Sequence, residues 1–335
     1  TYRDLETRAN QLARMLREAG CRRGDRVCLL APRGPEAVVA ILAILKADAI
    51  VVPLDVDSPP ARLAEVIRIS APHSVLTFSA GAARLDEVLR GGPFREAVAV
   101  GSLGTSPVVG EHFSSVFCAT DVAGMPTRAV ASRNRPSSPA QIIFSLRARG
   151  TPRGVVLSHE GIRRAIVWSN DYFDILPGDR HPWRADSSSG RSIFATLGTL
   201  AAGATVHPLS PEVGLHPERL AAFVRAAELT RWVVTPQMLA GAVHLLQPGD
   251  FPQLRNIVWH GGPMPAALLR ECMARLRHVS FTGLYGATEA GVVSCYHRVL
   301  HPPESDATLV PIGVPRPGEG ALVLGDRLQT VPPGA

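Results

Sequence analysis

Apolar residues recur at helical spacing from the start of the chain: Leu5, Leu12, Met15, Leu16 and Ala19 fall near one face of an amphipathic helix. "GCRRGDRVCLL" then turns into a strand ending near Leu30. "GPEAVVAILAILKA" predicts a second helix, with Pro35 at its start, where a missing N–H costs nothing. "IVVPL" is a second strand. "SPPARLAEVIRIS" opens a third helix with Ser58 as its expected cap, and "HSVLTF" is a third strand. Strand–helix alternation of this kind predicts a parallel, doubly wound sheet covered on both faces. Between about 100 and 139 the pattern weakens, and the Pro/Ser-rich "NRPSSPA" reads as a linker. "QIIFSL" is then a strand and "SHEGIRRAIVWSN" a helix. A second alternating unit follows in "TLGTLAAGATVHPL", "PERLAAFVRAAEL", "RWVVTP", "QMLAGAVHLL", "NIVWHGG" and "PAALLRECMARLR". From about 299 the chain is rich in Pro and Gly, with one short strand expected at "ALVLG". No repeat of fixed period is present.

Composition narrows the function classes. At 335 residues, 46% hydrophobic and 19% charged, the chain can bury two or three packed units and is not a disordered one. No apolar run reaches the roughly 18 residues of a spanning helix; the longest is interrupted by Lys46 and Asp48. The polar first residues argue against a signal peptide, and the absent initiator Met suggests a piece of something longer. Cys21, Cys28, Cys118, Cys272 and Cys295 have neither metal-ligand nor redox spacing, so free thiols in a reducing cytoplasm are expected. The formal charge is +6, and Lys46 is the single lysine among 35 basic residues. The arginines are scattered, with no basic run interleaved with aromatics, so no nucleic-acid partner is expected, and no membrane.

Six segments in order carry a resemblance. "TYRDLETRANQLARMLREAGCRRGDRVCLL" reads as an opening helix and strand, and "LKADAIVVPLDVDSPPARL" is similar to LKAGGAYVPLDPxYPxxRL. "FSLRARGTPRGV" stands where YTSGSTGxPKGV is usual, and "IFATLGTLAAGATV" is similar to the block after FDxS. "LYGATEAGVVS" is similar to xYGPTExxV, and "PIGVPRPGEGALVLGDRLQTVPPGA" to the entry of a barrel on the nucleotide side. Together they resemble the adenylation domain of nonribosomal peptide synthetases, within the adenylate-forming ligase superfamily. The resemblance implies an α/β fold, the N-terminal core of such a ligase: two doubly wound sheet subdomains plus a small β-barrel-like part. It divides the chain into a first subdomain at 1–135, a second at 136–298 containing the phosphate loop, and the barrel entry at 299–335. The family's small C-terminal domain is expected to be absent. The implied reaction joins an amino acid to ATP, releasing pyrophosphate, and passes the acyl group from AMP to a carrier-protein thiol.

That chemistry needs backbone donors around the triphosphate, a carboxylate for Mg²⁺, a cation on the transferring phosphate, and an anion for the substrate ammonium. In the phosphate loop Ser145 matches Thr, Leu146 Ser, Arg147 Gly, Ala148 Ser and Arg149 Thr; Gly150, Pro152 and Gly154 are kept, and Arg153 replaces Lys. Glycine allows close backbone approach to a phosphate, which Arg147 does less readily. Arg147 can fill the phosphate space, which argues for a solvated loop with no ligand; the opposite reading is that Arg147 and Arg149 clamp phosphates themselves. The Asp that meets the substrate ammonium falls on Gly190, after Ser189, with Arg191 next; Asp186 substitutes only if its loop shifts by four residues. A buried ammonium without its counter-charge is strongly disfavoured. Phe194, Val258, His260, Leu284, Val292 and Val293 match the side-chain pocket, where His260 replaces a small residue and reads as a packed histidine. By the same match Tyr285 would stack on adenine unless it is a core aromatic. Gly261 and Gly262 would let the base approach the backbone, Gly286 lies in the turn, Thr288 would touch phosphate, and Glu289 would face Mg²⁺. Ala287 replaces Pro and Gly283 replaces Asn. No residue matches the catalytic lysine, and Lys46 is expected to reach the surface from a buried helix.

The resulting expectation is a degenerate, inactive adenylation domain kept as a spacer between condensation and carrier domains, binding no cofactor tightly. The alternative is adenylation of an acid lacking an α-ammonium, with ATP and Mg²⁺.

Overall fold

The computed structural model describes residues 1–32, 34–91, 98–144, 151–183, 190–306 and 310–332, with backbone alone at 190–193 and 211. The chain divides into two compact units, Thr1–Ile166 with Arg184–Ala195, and Val167–Trp183 with Thr196–Ala335.

The first unit opens with α1 (Tyr2–Glu18), started by a capping box in which the Thr1 hydroxyl accepts from the Asp4 N–H. It continues through β1 (Arg26–Leu30), α2 (Pro35–Lys46), β2 (Ile50–Pro53), α3 (Pro60–Ser70), β3 (Ser74–Thr77), α4 (Ser79–Arg90), β4 (Val98–Ser102), β5 (Phe113–Phe117), α5 (Ala119–Ala123), β6 (Pro139–Phe144) and β7 (Gly154–Ser158). These strands form one sheet in the order β5-β4-β3-β1-β2-β6-β7. All neighbours run parallel except β6 and β7, an antiparallel pair with Phe144 opposite Gly154. β1, β2 and β3 are buried along almost their whole length because both sheet faces are covered. Leu30, Val75, Ile67 and Leu85 are fully buried in the resulting core.

One buried carboxylate ties the linker before β6 to this unit. Asp48, at φ +66, accepts from Arg17 Nη2 at 2.9 Å, Ser132 Oγ at 2.6 Å and the Arg133 N–H at 2.9 Å. Lys46 reaches the surface as expected and meets Glu6 at 2.8 Å.

α6 (His159–Phe173) and α7 (Gly190–Ala201) each have residues in both units. The second unit holds β8 (Arg180–Trp183), β9 (Thr205–Pro208), α8 (Pro211–Leu215), α9 (Pro217–Ala226), β10 (Arg231–Val234), α10 (Pro236–Ala242), β11 (Asn256–Trp259), α11 (Ala266–Arg275), β12 (Ser280–Tyr285), β13 (Cys295–Val299) and β14 (Val314–Pro315). Its main sheet has the order β10-β11-β12-β13-β14, parallel through β12 and antiparallel beyond; β8 and β9 pair separately. Trp232, Phe281, Ile257, Leu239 and Leu269 fill the core between this sheet and its helices.

Several local expectations change. Ser58 does not cap α3: Pro59 takes the cap position without a side-chain bond, and the Ser58 hydroxyl donates to Asp55 at 3.4 Å instead. "ALVLG" forms only an isolated bridge, Leu324 to Thr330, and no closed barrel is present among the described residues. The weak stretch from 100 onward contains the end of β4, all of β5 and α5. All five cysteines are free and buried. Among the described residues no helix is long and apolar enough to cross a membrane.

Candidate functional site

The expected site residues fall in both units. In the first, Ser145, Arg147, Arg149 and Gly150 lie outside the described residues, as do Asp186 and Ser189. Arg153 is exposed, and Gly154 begins β7. A Cβ on Gly154 would sit 2.9 Å from Ile142 Cγ2, so this glycine has a packing reason of its own. Gly190 and Arg191 open α7, and Phe194 is buried one turn along it.

In the second unit the remaining residues gather at one end of the sheet. β11 and β12 are parallel, with Trp259 opposite Gly283. Their C-terminal ends therefore release His260–Gly261–Gly262 and Tyr285–Glu289 at the same edge, where ligands of doubly wound sheets bind. Gly261 has φ +86, a left-handed conformation that suits glycine. Gly262 is exposed, with nothing near its missing Cβ. Tyr285 is 54% exposed, which removes the core-aromatic reading. Thr288 and the exposed Glu289 lie on a single 3-10 turn closed by Gly291 at φ +79.

That turn is tightly folded back. Ser294 N–H donates to Tyr285 O at 2.8 Å, and Val292 N–H to Ala287 O at 3.1 Å. A Cβ on Gly286 would lie 2.5 Å from Val292 O, so only glycine fits. Val292 itself sits at φ +80, a strained value for a β-branched residue. Strain of this kind persists where surrounding contacts over-determine the backbone, and it clusters at binding sites. Val258 and Val293 are almost fully buried, Leu284 half-buried. The His260 N–H donates to Val234 O at 3.2 Å, so its backbone continues the β10–β11 ladder.

The reason for Gly283 is visible here and was missed in the sequence. The Trp259 indole covers it: a Cβ at 283 would approach the ring to 2.6 Å. Trp259 therefore occupies the space of the side chain that the matched sequences carry at this position. A glycine inside a strand pattern is the available signal for such an approach.

Among the described residues Glu289 belongs to no group of three or more His, Cys, Asp or Glu side chains close enough to share a metal. The one such cluster they contain, Asp86, Glu111 and His112, belongs to the first unit. There Asp86 already accepts from the backbone N–H groups of Glu111 and His112 at 2.8 and 3.0 Å.

Comparison with known proteins accounts for this arrangement. The model of the AMP-binding enzyme family matches residues 1–335. The chain is 30% identical to tyrocidine synthase 2 of Brevibacillus parabrevis over 334 residues, covering 100% of this chain and 8% of that protein. It is 29% identical to the L-proline--[L-prolyl-carrier protein] ligase of Streptomyces coelicolor, covering 100% of this chain and 63% of that one. The crystal structure of the nonribosomal peptide synthetase FmoA3 superposes with a TM-score of 0.79 at 26% identity, over 94% of this chain and 31% of the other. The chain thus spans less than two thirds of these relatives. With the two-sheet α/β architecture and the Tyr285–Glu289 turn after β12, these likenesses mean that the chain belongs to the AMP-binding enzymes, the adenylate-forming ligases that include nonribosomal peptide synthetase adenylation domains.

Proposed function

We propose that this chain is the core of an adenylation domain that has lost catalysis and is retained as a spacer in a bacterial peptide synthetase. Its neighbours would be condensation and carrier domains. The observation that carries the reading is Gly190, a residue with no side chain at the position matched to the ammonium-binding Asp. A buried substrate ammonium without a counter-charge costs about 3–5 kcal/mol, which lowers affinity by two to four orders of magnitude. Arg147 and Arg149 in the phosphate-loop sequence point the same way.

ATP and Mg²⁺ are the family's reactants, and the residues at the β11–β12 edge fit them in part. Tyr285 presents an exposed ring for the base, Gly261 and Gly262 leave the backbone open, Thr288 offers a hydroxyl, and Glu289 would hold the metal. Bound there, Mg²⁺ would neutralise phosphate charge. This retained half supports residual nucleotide binding, and it favours one second reading: adenylation of an acid without an α-ammonium, for which the missing carboxylate is immaterial.

ATP–pyrophosphate exchange separates the two readings. The full-length parent protein is assayed over amino, aryl and keto acids. The spacer predicts no exchange above the enzyme-free blank with any acid. Exchange with an aryl or keto acid alone would replace it by the second reading, and exchange with an amino acid would overturn both.

A further inference from the structure

The opposite edge of the second sheet holds a cavity that the adenylation chemistry does not use. Its volume is about 250 Å³, and Tyr172, Arg255, Asn256, Ser280, Thr282 and Arg298 line it. Asn256 and Ser280 are the first residues of β11 and β12, and Arg298 lies across from Thr282 on β13. These are the strand ends remote from His260–Gly262 and Tyr285–Glu289, so the cavity is separate from the candidate nucleotide edge.

Its lining is short of negative charge. Arg298 is exposed and has no ion pair among the described residues. Arg255 is held by one amino group, Nη2, which donates to both Asp179 oxygens at 2.6 Å, leaving its other donors available. Behind the cavity wall Arg231 is buried, with its guanidinium 3.9 Å from the centre of the Phe173 ring and its Nε without a hydrogen bond. The lining itself thus carries two guanidinium groups, Arg255 and Arg298, against one carboxylate, the exposed Asp174, while Asp179 pairs with Arg255 from outside the lining.

Neutral donors complete the lining. The Tyr172 Oη is buried and makes no hydrogen bond of normal geometry among the described residues. Burial pushes this phenol up, while the Thr282 hydroxyl and the Arg298 charge oppose the shift. Asn256 Nδ2 donates to Ser280 Oγ at 3.0 Å, and Ser280 Oγ donates to Arg255 O at 3.0 Å, which holds these side chains in place. Tyr172 and Phe173, edge-to-face with centroids 4.7 Å apart, add an aromatic surface.

We propose that this cavity is a binding site for a small organic oxyanion, a carboxylate or phosphate monoester carrying a compact apolar body. The anion lies between Arg298 and the Tyr172 hydroxyl, and the apolar body lies against the aromatic pair. The volume falls below the roughly 300–1,000 Å³ of drug-sized pockets, which limits the ligand to a small molecule.

Calorimetric titration of the chain with benzoate, phenyl phosphate, inorganic phosphate and the neutral benzamide tests this. Saturable binding is expected for benzoate or phenyl phosphate, weaker binding for inorganic phosphate, and none for benzamide. Arg298→Ala should weaken the best anion about tenfold or more, as loss of a charge-assisted hydrogen bond requires. Tyr172→Phe, which keeps the ring packing, should weaken it about threefold to tenfold. Thermal melting of each variant reports whether it is folded. Glu289→Gln, at the other edge, should leave benzoate binding unchanged, so loss of the nucleotide reading and loss of this one are distinguishable. The proposal is overturned if no anion binds, if benzamide binds as well as benzoate, if binding is insensitive to both cavity variants, or if Glu289→Gln abolishes it.

Discussion

His181 is the residue whose titration should move the stability of the second unit most. It lies in β8, 5% exposed, with Nδ1 2.9 Å from the Thr199 hydroxyl. Burial, then the Arg231 charge, pull its pKa down from 6.5 to about 3; Asp179 opposes this only in part. Between those values the unfolded chain binds a proton that the folded chain refuses. The group's contribution is therefore fully present above pH 6.5 and is lost as the pH falls toward 3. At about 1.4 kcal/mol per pKa unit, moving from about pH 7 to about pH 4.5 should cost about 2.5 kcal/mol through this residue alone. Urea unfolding at the two pH values, on the chain and on His181→Asn, measures it. The Asn variant removes the titration while keeping a partner for Thr199. The shifts of His159 and His207, also downward through burial, are common to both proteins and cancel. The wild-type chain should lose about 2.5 kcal/mol more than the variant on acidification. Equal losses would refute the argument, as would an imidazole NMR titration showing His181 protonated by about pH 6.

Other outcomes follow from single contacts. Gly283→Ala drives a methyl into the Trp259 ring and should destabilise by about 1–3 kcal/mol in denaturant titration. Asp48→Asn removes the charge shared by Arg17, Ser132 and the Arg133 amide; a cost of about 2–3 kcal/mol is expected, with earlier proteolysis of the linker around 128–134. Burial pushes the thiols of Cys21, Cys28 and Cys272 up to about 12, so a disulfide reagent at neutral pH should modify these three only after the chain is unfolded.

Periodicity made the repeated strand–helix units legible because strands such as β1, β2, β3 and β11 are buried on both faces and their helices on one. Helix starts were legible where proline marks them, as at Pro35 and Pro217. β5 was not, because its middle residues Ser114, Ser115 and Val116 are exposed at a sheet edge and break the apolar run. β8 was hidden by His181 and Pro182, polar and strand-averse in isolation yet buried in place. The β11–β12 edge was legible through "LYGATEAGVVS" and "WHGG", where Gly286 answers to a close backbone approach and Gly261 to a left-handed φ. The cavity at the other edge was not. Tyr172, Arg255 and Arg298 are far apart in sequence, and only the parallel register of β11 with β12 and the return of β13 bring them together.

The antiparallel clasp of β6 and β7 has a consequence for how this chain changes over generations. Phe144 and Gly154 are ladder partners, so the stretch from 145 to 153 starts and finishes at adjoining points of a fixed frame. Mutational drift between such anchors leaves the frame's hydrogen bonds untouched, and the wording of that stretch is free to decay once selection on chemistry relaxes. The same anchoring makes it replaceable: a glycine- and serine-rich stretch spliced between Phe144 and Gly154 should be accepted without refolding the sheet.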